Sequence, residues 1–413
     1  MSTHSDHTVV VLGAGYAGIL AANRVQASLT PEERRRVRVV MVNPTGDFIE
    51  RVRLHEVAAG VRETAAIPLR EMLHELIEVS LGTVRHIDAP ARLISVETSA
   101  GERVESYDTL IYSVGSMAAV GVPGVQEFAH LLSNADGAES ARMRIAGGRR
   151  DQRIVVVGGG ATGVEAAAEI AEQHPAASVT LVSRGPLLEH LPAASRRSVA
   201  RSLHEFGITV VEGRGVVRVL ADTVDLSGGT RIPSDVTVWA ASFAVPDLAR
   251  RSGLAVDSIG RLLVDEELRT TRYPEIFGAG DAVRPPASVG SHLRMSCAVA
   301  MPLGAHAADN VLALLRDQEP TWLSVGFGAQ CISIGRRRGL IQLVDKADQP
   351  RPVRITGWAG AMVKEFVCAV IATGSPRRER GRPGSLMVPS GPRLTAHSES
   401  RWPRRPQGNR ARR

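Results

Sequence analysis

Two glycine clusters in this chain have the spacing that lets a backbone approach a pyrophosphate. The first lies in VVVLGAGYAGILAANRV, with Gly13, Gly15 and Gly18. The second lies in RIVVVGGGATGVEAAAEIA, with Gly158, Gly160 and Gly163. Each follows a run of β-branched residues and opens a helical pattern. The first glycine turns the chain out of the strand. The second removes the Cβ that would block a phosphate, and the third lets helix and strand pack closely. The helix start then points unpaired N–H groups at the anion. One such cluster is a weak signal; two, each in strand–turn–helix context, are a strong one. The chemistry implied is electron transfer between two dinucleotides held by one chain.

The residues at the ends of the next strands bear on the adenosine halves. VRVVMV follows a break at Pro31 and ends at Asn43, where an acid usually takes the ribose hydroxyls; Asn can still accept one such bond. SVTLV ends in Ser183 and Arg184, with no carboxylate. An acid there would repel a 2′-phosphate, whereas Arg pairs with it. NADPH is therefore modestly preferred over NADH.

These turns need sheets and helices to hold them. YDTLIYSVGS reads as a strand leaving at a further glycine, Gly115. The strand TVWAAS closes the second unit. TTRYPEIFGAGDAV then supplies a short strand, a glycine exit at Gly280 and a carboxylate, Asp281. Such an element after the second unit most simply returns the chain to the first sheet. The fold expected is α/β, with two Rossmann-like dinucleotide-binding domains, the second inserted in the first. A small C-terminal α+β unit and a disordered basic tail follow. The boundaries are 1–120 with 246–320, 121–245, 321–374 and 375–413. Pro302 implies a kink or early break in the apolar helix of 291–315. The strands QCISIG and GLIQLV are joined by a basic turn, Arg336 to Arg338, read as exposed.

Composition is that of a globular protein, with 413 residues, 44% hydrophobic and 23% charged. There is no run of 18 apolar residues, so no spanning helix is expected. MSTHSDHT is polar and does not read as a secretory signal. Three cysteines without a CxxC pair suit a reducing compartment. The net charge of +7 belongs to the tail, whose 11 Arg and two Glu leave the body slightly acidic. The body is thus not a nucleic-acid binder by charge. The tail could make weak contact with an anionic surface. Cys331 and Cys368 read as core and Cys297 as a small buried hydrophobe. The 12 His show no metal-ligand spacing.

The motifs GAGYAG (13–18), DFIERVRLHEVAAG (47–60), IPLRE (67–71), GGGATGVEAAAE (158–169) and FGAGDA (277–282) resemble the two-dinucleotide flavoprotein reductases. Within them the chain is similar to the type II NADH dehydrogenases, with apoptosis-inducing factor and ferredoxin reductases as relatives. The resemblance spans residues 8–374. It implies an FAD-binding first domain, with Gly13, Ala14, Gly15 and Gly18 at the pyrophosphate and Asn43, Arg51, Gly115, Gly280 and Asp281 around the cofactor. It implies NAD(P)H at Gly158, Gly160, Gly163 and Arg184. Glu165 would face the nicotinamide–flavin contact as the catalytic residue, the alternative being a carboxylate in a helix first turn, where the dipole favours it. For Asp281 the alternative is a helix N-cap, a role that can coexist with cofactor binding.

Three departures stand out. Residues 44–75 hold no Cys, which excludes dithiol chemistry as the main route. The paired glutamines that face quinone in type II enzymes become Ala298 and Pro302. Membrane-anchoring C-terminal helices are replaced by the Arg/Pro tail. The implied activity is hydride transfer from NAD(P)H to FAD N5, then electrons to a small-molecule acceptor, most simply quinone-like. The alternatives are reduction of a ferredoxin-type carrier, with Arg336–Arg338 as a docking turn, and a redox-sensing NAD(P)H-binding flavoprotein. The expected location is cytoplasmic or peripheral at a membrane, and the fold is compatible with an oligomer.

Overall fold

A computed structural model describes residues 6–386 and 388–392. The fingerprint strand His7–Leu12 lies at the centre of a five-stranded sheet, paired in parallel with Val37–Asn43 on one side and Thr109–Tyr112 on the other. Its Val9, Val10 and Val11 are fully buried, as expected of a strand covered on both faces. Arg153–Val157 holds the same place in a second parallel sheet, between Ser178–Val182 and Val236–Trp239. The two sheets are built alike down to the turn. Gly13 donates its N–H to Val42 O at 2.8 Å, and Gly158 to Val182 O at 2.9 Å.

Insertion is visible in the pairing. Ile276–Gly278 lies far along the chain, yet pairs in parallel with Thr109–Tyr112 as the edge of the first sheet. The two crossings between units, Met117–Ala118 and Phe243–Ala244, form a short antiparallel pair. A third unit follows: a three-stranded antiparallel sheet of Ala329–Ser333, Gly339–Val344 and Pro350–Thr356, with helix Gly357–Phe366 after its last strand.

Two expectations need correcting. Helix Cys297–Leu315 runs through Pro302 without a break. Pro302 lies near the helix start, where one hydrogen bond is forfeited, and the helix is held by close packing. A Cβ on Gly304 would lie 2.3 Å from Ala17 O of helix Tyr16–Ser28. By length and composition this helix could cross a bilayer, but 67% of it is buried in the protein. The packed chain also runs past residue 375. Helix Gly374–Glu379 lies against helix Tyr16–Ser28, and Asn23 donates to Pro376 O at 2.8 Å. Glu379 is fully buried and accepts from the N–H groups of Gly384 and Leu386 at 2.9 and 2.7 Å, which fixes the following turn. Residues 393–413, and any anionic-surface contact they make, lie outside the described residues.

Candidate functional site

The first fingerprint divides its glycines by role. Gly13 has φ +94°, and a Cβ there would sit 2.8 Å from Ser113 O; a Cβ on Gly18 would sit 1.9 Å from Gly13 O. Gly15 instead faces open space and starts its helix with no side-chain cap, so the first N–H groups are left for a ligand. Ala14 donates its N–H to Asn43 Oδ1 at 2.9 Å, so Asn43 fixes the turn. The second fingerprint repeats the pattern. Gly158 has φ +134° and meets Ala240 O, Gly163 meets Gly158 O at 1.9 Å, and Gly160 faces open space at an uncapped helix start.

A polar chain closes the first cleft. Arg51 Nη1 donates to Ser116 O at 3.0 Å and to Ser116 Oγ at 3.2 Å, and Ser116 Oγ donates to Asp281 Oδ2 at 2.7 Å. Asp281 Oδ1 is buried and has no partner among the described residues. A buried carboxylate oxygen without a donor is costly, so this atom marks where a hydroxyl donor belongs. FAD fits on these grounds: an open glycine and uncapped helix start for its pyrophosphate, and an orphaned acceptor for its sugar alcohol. Gly115 and Gly280, at φ +67° and +83°, form the two strand exits beside this chain. Asp281 caps no helix, because strand Val283–Arg284 follows it.

Glu165 is not in a helix first turn. It lies one turn further into helix Ala161–Gln173 and is buried. Its Oε1 lies 2.9 Å from Lys364 Nζ and accepts the Ser333 N–H at 3.0 Å. Burial opposes ionisation of Glu165, but Lys364 and His55 hold its carboxyl below the ordinary range. Burial likewise opposes the Lys364 ammonium, and Glu165 more than offsets it. His55, buried beside them, is within 3.4 Å of Ser333 Oγ, and burial lowers its pKa. Sequence reasoning missed Lys364. A signal existed: it is one of only two lysines against 48 arginines, placed in an apolar helix.

The basic turn is exposed at Arg337, but Arg336 is engaged from within. Arg336 donates to Glu56 Oε1 at 2.9 Å and to Glu365 Oε2 at 3.3 Å, and Arg338 pairs with Glu205. Burial raises the pKa of Cys297, Cys331 and Cys368, the last to about 12, so all three stay protonated thiols at neutral pH. Arg184 is exposed at the end of its strand, and the Arg214 N–H donates to Ser183 O at 3.3 Å beside it.

The chain belongs to the pyridine nucleotide-disulphide oxidoreductase family, whose model matches residues 7–304. It is 31% identical over 359 residues to an NADH dehydrogenase-like protein of Mycobacterium tuberculosis, covering 79% of this chain and 85% of that one. A type II NADH:quinone oxidoreductase of the same organism is 30% identical over 315 residues, 67% of this chain and 66% of that one. Among solved structures, the sulfide:quinone oxidoreductase of Aquifex aeolicus has a TM-score of 0.77 at 19% identity, covering 92% and 93%. NDH2 of Plasmodium falciparum in complex with NADH has 0.77 at 13%, covering 91% and 96%. The chain is thus a flavoprotein oxidoreductase that pairs FAD with a nicotinamide nucleotide.

Proposed function

We propose that the chain oxidises NAD(P)H through FAD and delivers the electrons to a quinone-like small molecule. The observation that carries this reading is helix Gly357–Phe366. Its inner face holds Lys364 against Glu165, while Trp358, Met362 and Phe366 stand exposed at i, i+4 and i+8 on the other. One helix therefore joins an apolar surface, suited to a lipophilic acceptor, to a buried ammonium that can hold a proton at Nζ. Bound FAD would supply hydride acceptance at N5 and onward electron transfer. Gly13, Ala14, Gly15, Gly18, Asn43, Arg51, Gly115, Gly280 and Asp281 would hold it. Gly158, Gly160 and Gly163 would hold the nicotinamide nucleotide, and Glu165 would orient the contact between the two.

The names of the relatives favour quinone. Ala298 and Pro302 leave no amide on the helix at the flavin, so ring contact there would be apolar. The apolar ridge also supports a peripheral position at a membrane. Arg184 and Arg214 support use of NADPH as well as NADH. The ferredoxin alternative is left with exposed Arg337 as the centre of its docking turn, since Arg336 and Arg338 are already paired with carboxylates.

Anaerobic titration tests the reading. NADH and NADPH are added separately while the flavin band is followed, and quinones, a ferredoxin and air then compete to restore it. Fast bleaching with quinone reoxidation fastest is expected. Faster reoxidation by ferredoxin, or a reduced complex that persists for minutes with every acceptor, would move the carrier or sensor reading ahead.

A further inference from the structure

Glu169 has no place in the site so far. It follows Glu165 by one turn on helix Ala161–Gln173 and is fully buried, and neither carboxyl oxygen has a hydrogen-bond partner among the described residues. Its nearest cation is Arg336, whose Nε lies 3.7 Å away and whose Nη atoms are engaged by Glu56 and Glu365. Glu172, a turn further on and half-buried, accepts the Arg336 backbone N–H at 2.5 Å. Residues 165, 169 and 172 share one face of the helix and span roughly 10 Å, from the Lys364 ammonium toward solvent.

An ionised carboxylate in that position would be poorly supported. Burial pushes the Glu169 carboxyl up to about 8; Arg336 opposes this, and Glu56, Glu172 and Glu165 add to it. Near neutral pH the residue is therefore mostly a carboxylic acid, with an O–H to donate and a low cost of losing and regaining it.

The reaction proposed above consumes such a proton. NAD(P)H + H⁺ + quinone gives NAD(P)⁺ + quinol: the hydride supplies two electrons and one proton, and the second proton comes from solvent. We propose that Glu169 carries that proton, as the middle member of the row Glu172–Glu169–Glu165 that ends at Lys364. The step is a proton handed along the row as Glu169 is reloaded from the solvent side; no electrons move in it. This rests on the quinone reading.

Glu169→Gln is the test, because it keeps the shape and neutrality of the acid but cannot carry a proton. In the holoenzyme, bleaching of flavin by NADH without quinone needs no solvent proton and should stay within about twofold of wild type. Quinol formation should fall at least about tenfold and show a larger solvent deuterium isotope effect. Glu169→Asp should restore much of the rate. The wild-type rate should decline as pH rises through about 8, and Glu169→Gln should lose that limb. Equal losses in both half-reactions would mean a structural role, and no loss in either would mean no role; both overturn the proposal. Infrared spectra separate it from the quinone reading. A protonated-carboxyl band at neutral pH that vanishes in Glu169→Gln is expected whichever acceptor is reduced, because it reports the state of Glu169 alone; its absence from wild type overturns the proton-carrying role without bearing on the quinone reading.

Discussion

Lys364 Nζ sits 2.9 Å from Glu165 Oε1, and both groups are largely withdrawn from water. The pair ties the C-terminal unit to the helix of the second glycine fingerprint. Neither charge would be tolerable there alone, and the Ser333 N–H gives the carboxylate a second donor.

Removing one partner should therefore hurt more than removing both. Lys364→Met leaves a buried carboxylate uncompensated and should destabilise the fold by about 3 kcal/mol. The double variant Lys364→Met/Glu165→Gln should recover much of that loss. Chemical denaturation of the four proteins in the cycle measures the coupling. Strictly additive effects would show that the pair contributes nothing.

Gly15 and Gly18 of the first fingerprint should fail differently. A Cβ at Gly15 meets nothing within 4 Å, so Gly15→Ala should fold normally yet lose most of its bound flavin. A Cβ at Gly18 would lie 1.9 Å from Gly13 O, so Gly18→Ala should lower Tm by several degrees in the flavin-free protein as well. Flavin-to-protein stoichiometry and thermal unfolding, read together, check this. A Gly15→Ala protein with full flavin content would remove the pyrophosphate from that position.

Much of this was legible because the signals are local. The glycine turns, strand runs and Gly280–Asp281 exit depend on residues adjacent in sequence, and the packed backbone contacts follow from them. What escaped reading depends on distant partners. The carboxylates that enclose Arg336 come from residues 56, 169 and 365, so the first arginine of a turn that reads as exposed is drawn inward while Arg337 stays exposed. Helix Gly374–Glu379 is held by Asn23, which no tail composition can reveal. Lys364 and Glu165 meet only because the third unit folds back onto the second.

The buried acids predict opposite pH slopes. Burial alone would raise the Glu56 pKa, but hydrogen bonding from Arg53 and the charges of His55, Arg53 and Arg336 hold it at about 2. Its stabilising contribution is present above the ordinary value of 4.5 and is lost as pH falls toward about 2. Glu169 is shifted the other way, so its contribution is complete below 4.5 and is lost as pH rises through about 8. Denaturation midpoints of Glu169→Gln should thus be flatter than wild type between these limits, with a gain near the upper limit on the order of 5 kcal/mol. An unchanged slope would mean that Glu169 ionises like an exposed carboxyl.

Coenzyme choice should turn on the exposed arginines at the second nucleotide site. Strand Ser178–Val182 ends in Ser183 and Arg184, and Arg214 is joined to the same strand end by its backbone. A 2′-phosphate there would meet the Arg184 side chain, with the Arg214 guanidinium, bonded to Ser227 O at 3.1 Å, a second donor in the adjoining turn, whereas the ribose of NADH offers only hydroxyls. Arg184→Ala with Arg214→Ala should raise KM for NADPH about tenfold or more and leave KM for NADH within about twofold. Because the phosphate lies far from the reacting carbon, kcat should change little with either coenzyme. Steady-state kinetics with both coenzymes at low and high salt provides the check, since KM for NADPH should rise more than KM for NADH as salt screens these exposed charges. Parallel losses for both coenzymes would place these arginines in the fold of the site instead of in its selection of the nucleotide.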